Sequence, residues 1–458
     1  MAEGTLLVPH RRIHLIGVGG AGMSALARIL SGAGHIVTGS DLHPSPALDS
    51  LSDLGLEVWS GHEPSRIGGA DLVVASSAIP ENDPEWEMAG RQGIRRWHRP
   101  QLLEAITAAI PTIGATGTHG KSSSTAMMVT AIRAAGGSPS FVVGADLLDL
   151  RTNAAHGSDP LLVLEVDEAF GTFEHLHLGG LLVTNIEADH LDHFGTLDAI
   201  EAAFTRVARK VDGPVVACRD DPGAARLAAR VGSLTYGVDA LSTFVIGDLA
   251  LGPDGARFRL RGPGTDVRVD IRRPGIHMAR NAAGVVALTA LLGYDPQAIA
   301  AGLAGFHGVR RRFEHRGTVG EVTVIDDYAH HPTEVAATLR GARQIGARRL
   351  WAVFQPHLFS RTERFAGEFG ASLALADRAV VCDVYGSRES PIPGVTGELV
   401  AAATVRAGGR DVEYVPHRSD LATRLAAMVE PGDLVVFMGA GDITTAAGEL
   451  VTLLGART

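Results

Sequence analysis

The stretch Ile13-His14-Leu15-Ile16-Gly17-Val18-Gly19-Gly20-Ala21-Gly22-Met23 decides how the chain is read. A short apolar run enters a glycine turn, and a helix-like run from Met23 to Leu30 leaves it. That is the opening of a βαβ unit. His35 to Thr38 reads as a second strand ending at Gly39-Ser40-Asp41, and Leu72 to Ala75 as a third ending at Ser76-Ser77. Small polar residues after each strand place ligands at the strand ends of a parallel sheet. Around Pro111 the pattern restarts. Thr112 to Thr116 is a strand, Gly117-Thr118-His119-Gly120-Lys121-Ser122 a loop, and Ser123 to Ala135 a helix, with buried strands at Leu161 to Glu165 and Leu181 to Thr184. Phe244 to Arg272 alternates between Gly-Pro turns and reads as a small antiparallel insert, followed by a helix from Asn281 to Leu292. After Arg310-Arg311-Arg312 a third unit carries strands at Val322 to Ile325, Leu350 to Phe354, Ala379 to Cys382 and Leu434 to Met438. The expectation is an α/β fold of three successive units, over 1–107, 108–312 and 313–458.

Composition narrows the function. With 458 residues, about three domains are expected. Lys and Arg number 41 against 51 Asp and Glu, a net charge of −10 that disfavours broad binding to nucleic acid or anionic membrane. Only 5% of residues are aromatic, so the cores are built from Ala, Val, Leu and Ile. Two cysteines, Cys218 and Cys382, cannot form a disulfide framework and fit a reducing compartment. Met1 to His10 lacks a secretory leader, and no window approaches the roughly 20 apolar residues of a membrane span. A soluble cytoplasmic protein is expected.

Two loops carry phosphate chemistry. Gly17, Gly19 and Gly22 fit G-x-G-x-x-G, with Asp41 at the end of the second strand where a dinucleotide fold places its ribose-binding acid. Gly117 to Ser122 nearly fits the P-loop, although Ala115 stands where its first glycine belongs. Its backbone N–H groups cradle phosphates, Lys121 supplies a cation and Ser122 a hydroxyl for Mg²⁺. Two such loops argue against a simple NAD-dependent oxidoreductase. Glu165 and His190 follow strands and are candidate metal ligands, as structural residues at strand ends also would be. Asp326-Asp327-Tyr328-Ala329-His330-His331-Pro332 and Gln355-Pro356-His357-Leu358-Phe359-Ser360-Arg361 follow successive strands of the third unit, on one sheet edge.

In this order the motifs, with Thr184-Asn185-Ile186-Glu187-Ala188-Asp189-His190, Arg311-Arg312-Phe313-Glu314 and Gly439-Ala440-Gly441-Asp442, resemble the Mur ligases over nearly the whole chain. The resemblance implies a Rossmann-like UDP-binding domain, a central P-loop-type ATPase domain with the insert, and a Rossmann-like C-terminal domain for the amino acid. It implies ligation of L-alanine to the lactyl carboxylate of UDP-N-acetylmuramate, with ATP and Mg²⁺ (Mn²⁺ as substitute), by a monomer or weak homodimer. A sister ligase that adds a murein tripeptide is the alternative; a non-catalytic regulator is opposed by the intact Lys121, Ser122, Glu165 and His190. It assigns Gly17, Gly19, Gly20, Ala21, Gly22, Met23, Ser40, Asp41, Ser76 and Ser77 to the UDP-sugar. Gly117, Thr118, His119, Gly120, Lys121, Ser122, Ser123, Asn281, Arg312 and Asp327 go to ATP. Ser122, Glu165 and His190 go to metal, and Tyr328, His330, His357 and Arg361 to the amino acid. The catalytic set is Lys121, His119, Glu165, His190, Asn185, Arg312 and His330. The chain departs from the family pattern at Ala169 and Phe170, which replace Ser and Asp, at Met278, which replaces Asn, and in having no lysine between His190 and Arg209 to carry a carbamate.

Overall fold

The computed structural model describes residues 10–387 and 389–456. Most of the N-terminal stretch read above for a leader therefore lies outside the described residues. No helix among the described residues is long and apolar enough to cross a membrane. The chain forms two compact units, one of residues up to 248 with 258–270 and 280–306, the other of 249–257, 271–279 and the residues from 307 on.

The first unit holds one sheet entire and most of a second. In the first, β1 (Arg12–Ile16), β2 (Ile36–Asp41), β3 (Glu57–Ser60), β4 (Leu72–Ala75) and β5 (Arg95–His98) lie in the order 3-2-1-4-5, all parallel. The order reverses beside β1, so the glycine loop after Ile16 opens at the topological switch point. β3 and β5 escaped the sequence reading. Each has only four residues, with polar residues at two or more of them, at a sheet edge where burial demands little.

The second sheet is built on β6 (Thr112–Thr116), flanked by β9 (Leu162–Glu165) and β10 (Gly180–Val183), both parallel to it. β7 (Ser140–Leu147) and β8 (Thr152–Ala155) extend one side; β11 (Val215–Cys218) and β12 (Leu234–Gly237) extend the other. The segment expected to be a small antiparallel insert extends this sheet: β13 (Phe244–Gly252) pairs in parallel with β12, and β14 (Gly255–Gly262) and β15 (Thr265–Ile271) follow it outward. Two-residue connections between these strands allow only antiparallel neighbours, in keeping with the antiparallel reading.

The second unit's sheet runs β16 (Glu314–Val319), β17 (Val322–Asp327), β21 (Asp433–Met438), β18 (Arg349–Phe354), β19 (Arg378–Val381), β20 (Val412–Tyr414). Only β16 is antiparallel. Helices cover both faces: Val435 and Phe437 enter one core, Leu434, Val436 and Met438 the other. A strand buried on both sides reads as a continuous apolar run, which is why β21 was legible from its residues.

Candidate active site

The P-loop grows out of β6. Gly117 has φ +132°, and Gly120, at φ +82°, caps the helix Lys121–Ala134 without a side chain. The neighbouring β10 supplies the clamp. Asn185 accepts from the His119 N–H at 2.7 Å and donates back to the His119 carbonyl at 3.0 Å. Thr184 donates to the same carbonyl at 2.6 Å, and Thr118 accepts from the Glu187 N–H at 2.8 Å. A Cβ on Gly120 would lie 3.1 Å from Asn281, which puts that asparagine against the loop. Ser123 is buried in the first helical turn.

Lys121 folds back onto the Gly117 carbonyl (2.9 Å) and the Thr118 carbonyl (3.2 Å), and both oxygens of Glu168 lie 2.9 Å from its Nζ. Burial alone would strip the ammonium of its proton. The Glu168 and Asp167 carboxylates overcome this and hold its pKa above the usual lysine value. Burial also pushes Glu168 up to about 7, against the pull of Lys121. Glu168 was absent from the expected site residues. It lies three positions past Glu165, whose strand-end place drew attention first.

Two of the expected metal ligands are in direct contact. Ser122 donates to Glu165 at 3.0 Å, and Glu165 also accepts from the Gly144 N–H. His190, with φ +50°, lies with Asp167 and Glu168, the three ligand atoms within 4.8 Å of one another. Hydroxyl and carboxylate donors of this kind suit a hard divalent cation.

In the first sheet, the Gly17 and Val18 N–H groups bond the Ser40 carbonyl at 2.8 and 2.9 Å, and the Gly19 N–H bonds Asp41 at 2.9 Å. Ser76 stands beside Gly17, 3.0 Å from where its Cβ would be. Ser77 follows it in the turn after β4, and Gly20, Ala21, Gly22 and Met23 carry the loop into the helix Ala21–Gly32. The Ser40 hydroxyl is buried and bonds Glu85, and its carbonyl supports the loop.

In the second unit, Tyr328, His330, His357 and Arg361 come together as expected. The His330 and His357 rings are 5.9 Å apart, and Arg361 Nη1 is 3.3 Å from His357 Nδ1. Tyr385, unforeseen, stacks on His357 at 6.0 Å from a chain segment 28 residues away. Leu358 between these groups has φ +69°, a strained turn of the sort found at working sites. Arg311 grips the Gly439 and Gly441 carbonyls at 2.6 and 3.1 Å, and Arg312 lies over the Tyr328 ring and 3.6 Å from Glu334.

Asp327 accepts from the Phe313 and Ala329 N–H groups, each at 2.8 Å. Burial pushes it from 3.8 up to about 6, against the pull of Arg312. Between about pH 4 and 6 the folded chain therefore keeps a proton that the unfolded chain has released. The associated stability is present below pH 4 and lost as pH rises through 6. Relative to Asp327→Asn, the wild type should lose up to about 3 kcal/mol across this window, by urea unfolding at pH 4, 5 and 6. Parallel profiles for the two proteins would show an unperturbed carboxyl.

Three family models cover almost the whole chain: the Mur ligase catalytic domain over residues 12–110, the middle domain over 115–289 and the glutamate ligase domain over 311–441. A UDP-N-acetylmuramate–L-alanine ligase of Cutibacterium acnes is 45% identical over 452 residues, spanning 96% of each chain. The chain belongs to the Mur ligase family. Among solved Mur ligases, the UDP-N-acetylmuramate–alanine ligase of Thermotoga maritima superposes with a TM-score of 0.83 at 28% identity, covering 98% of this chain and 100% of its own. A murein peptide ligase of Psychrobacter arcticus, the type of the sister reading, gives 0.69 at 25% identity over 97% and 99%. The Mur ligase architecture expected from the motifs is thus the fold of this chain.

Proposed function

We propose that this Mur ligase joins L-alanine to the lactyl carboxylate of UDP-N-acetylmuramate at the expense of ATP, in cytoplasmic peptidoglycan precursor synthesis. The observation that carries the reading is the full-length, 45% match to a ligase of that name. An intact phosphate loop is consistent with it. The carboxylate oxygen attacks the ATP γ-phosphorus and ADP leaves; the amine of alanine then attacks the acyl carbon, loses its proton, and phosphate leaves. Domains 1–107, 108–312 and 313–458 take the UDP-sugar, ATP and the amino acid in turn, in a monomer or weak homodimer.

The first step sets anion against anion, so charge compensation is its main task. Lys121 faces the transferring phosphoryl group, and the loop N–H groups from Gly117 to Ser122 hold the phosphates. Asn281 takes the adenine, and Arg312 and Asp327 serve the phosphate and ribose. Ser122 and Glu165, with His190, hold Mg²⁺ or Mn²⁺. When bound, the metal ion screens the phosphate and carboxylate charges. His119, Asn185 and His330 orient the acceptor carboxylate. Tyr328, His357 and Arg361 receive alanine, whose carboxylate suits the guanidinium of Arg361.

The test is phosphate release from ATP with UDP-N-acetylmuramate, supplying L-Ala, Gly, L-Ser and the murein tripeptide in turn. Release should depend on both the UDP-sugar and L-Ala. Release supported by the tripeptide alone would transfer the assignment to the sister reaction.

A further inference from the structure

The helix Ala21–Gly32, which leaves the glycine loop, packs on the β7–β8 hairpin at the side of the second sheet. A Cβ on Gly32, its last residue, would collide with the Cβ of His156, just past β8. At the helix start the contact is a hydrogen-bonded one. Asn153, buried in β8, donates from Nδ2 to the Ala21 carbonyl at 3.3 Å and to the Val143 carbonyl of β7 at 3.3 Å. Pairing between β7 and β8 shifts register between Val142 and Leu147, so the amide bonds the Val143 carbonyl where the regular ladder is interrupted.

The Val143 carbonyl and the Gly144 N–H are the two ends of one planar peptide group. Its N–H end donates to Glu165. A Cβ on Gly144 would lie 2.7 Å from Glu165 Oε1, so glycine at this position lets the carboxylate approach. Glu165 in turn accepts from Ser122 of the phosphate loop at 3.0 Å. One side-chain amide and one peptide plane therefore join the start of the first loop's helix to the start of the second loop's helix, all within the first unit. An asparagine suits that task, because its NH2 group holds two donors in fixed directions.

We propose that Asn153 is a positioning residue for the first chemical step, fixing the offset between the loop that carries the UDP-sugar and the loop that carries ATP. The assignment rests on the proposed ligation. The lactyl carboxylate must meet the γ-phosphorus in line, and a misplacement of about 1 Å costs roughly a hundredfold in rate. The bonds of Asn153 go to backbone carbonyls and leave the loop N–H groups untouched. Each ligand should therefore bind as before when the amide is lost, and only their alignment suffers.

Steady-state kinetics on the full chain decide it, with ATP and UDP-N-acetylmuramate varied at saturating L-Ala and thermal unfolding measured alongside. The proteins are the wild type, Asn153→Leu, Asn153→Ser and Thr152→Val. Leucine keeps the shape without donors, and serine offers one shorter donor. Thr152→Val is the control: it removes a 2.9 Å bond from the Thr152 hydroxyl to the Ala154 carbonyl in the same strand and leaves the tie intact. Both Asn153 variants should lower kcat by about tenfold to a hundredfold, with each KM within about threefold of the wild type. ADP formation in a single turnover without L-Ala should slow by the same factor. Thr152→Val should keep its kcat. A normal kcat in both Asn153 variants would overturn the assignment. So would a raised KM at unchanged kcat, which marks a binding role, or an equal loss of kcat in Thr152→Val, which marks hairpin stability alone. Loss of the fold in both Asn153 variants would make the residue structural and overturn it as well. A wild type that forms no ADP with UDP-N-acetylmuramate would instead overturn the ligation itself, and this assignment with it.

Discussion

Lys121→Ala lowers ATP-dependent ligation by at least about a hundredfold, because removing one preorganised charge from a phosphoryl-transfer site costs on the order of 3 kcal/mol. The lysine is held by two loop carbonyls and both oxygens of Glu168, so its ammonium is already positioned and dehydrated. That preorganisation is the source of the effect. The fold should survive. Deleting one partner of a buried pair commonly costs about 3–5 kcal/mol through the stranded charge. Here the stranded group is Glu168, which burial has pushed up to about 7 even with the lysine present. Without the lysine it takes up a proton near neutral pH, and the loss is much smaller. Turnover measured beside thermal unfolding checks both halves. Near-normal turnover would remove Lys121 from the chemistry, and collapse of the fold would make its role structural.

The second large effect comes from one carbon atom. Gly117→Ala should abolish turnover at ordinary ATP concentrations and also destabilise the chain. At φ +132° an L side chain is strained, by roughly 1–3 kcal/mol. The added Cβ would also lie 2.2 Å from Thr184 Oγ1 and 2.8 Å from the Asn185 carbonyl. These are the groups that clamp the loop, so relief of the clash shifts the loop itself. A displacement of the phosphate cradle by about 1 Å is worth some hundredfold in rate. Gly61→Ala is the control, with φ +88° and nothing within 4 Å of the new atom. It should lose a little stability and no activity. Equal effects of the two substitutions in paired melting and rate measurements would assign the Gly117 effect to backbone strain alone.

Local physics wrote the two phosphate loops and the inner strands into the chain. Glycines at fixed spacing are needed wherever the backbone turns with positive φ, and strands buried on both faces must be apolar throughout, so β1, β6, β18 and β21 could be read without a partner. The clusters after β17 and β18 were legible for a related reason: a run of polar and aromatic groups before proline makes poor core. The edge strands β3, β5 and β20 were not legible, since edge positions ask little of side chains. Nor was the placement of β13 to β15, because the partner of an edge is chosen by the rest of the sheet.

Which polar groups meet was decided by tertiary structure alone. The Ser40 hydroxyl finds its partner in Glu85, which lies on a helix far along the chain. Ser122 meets Glu165, and His190 comes to lie beside Glu168. Tyr385 reaches His357, and Asn153 reaches Ala21, across separations that no local pattern encodes. Spacing along a chain reports the backbone conformation a residue needs, whereas hydrogen bonds and ion pairs depend on distances of a few ångströms set by how strands and helices pack. The sequence by itself determined the family, the phosphate loops and the sheet cores; the partners of the charged groups around those loops existed only once the chain had folded.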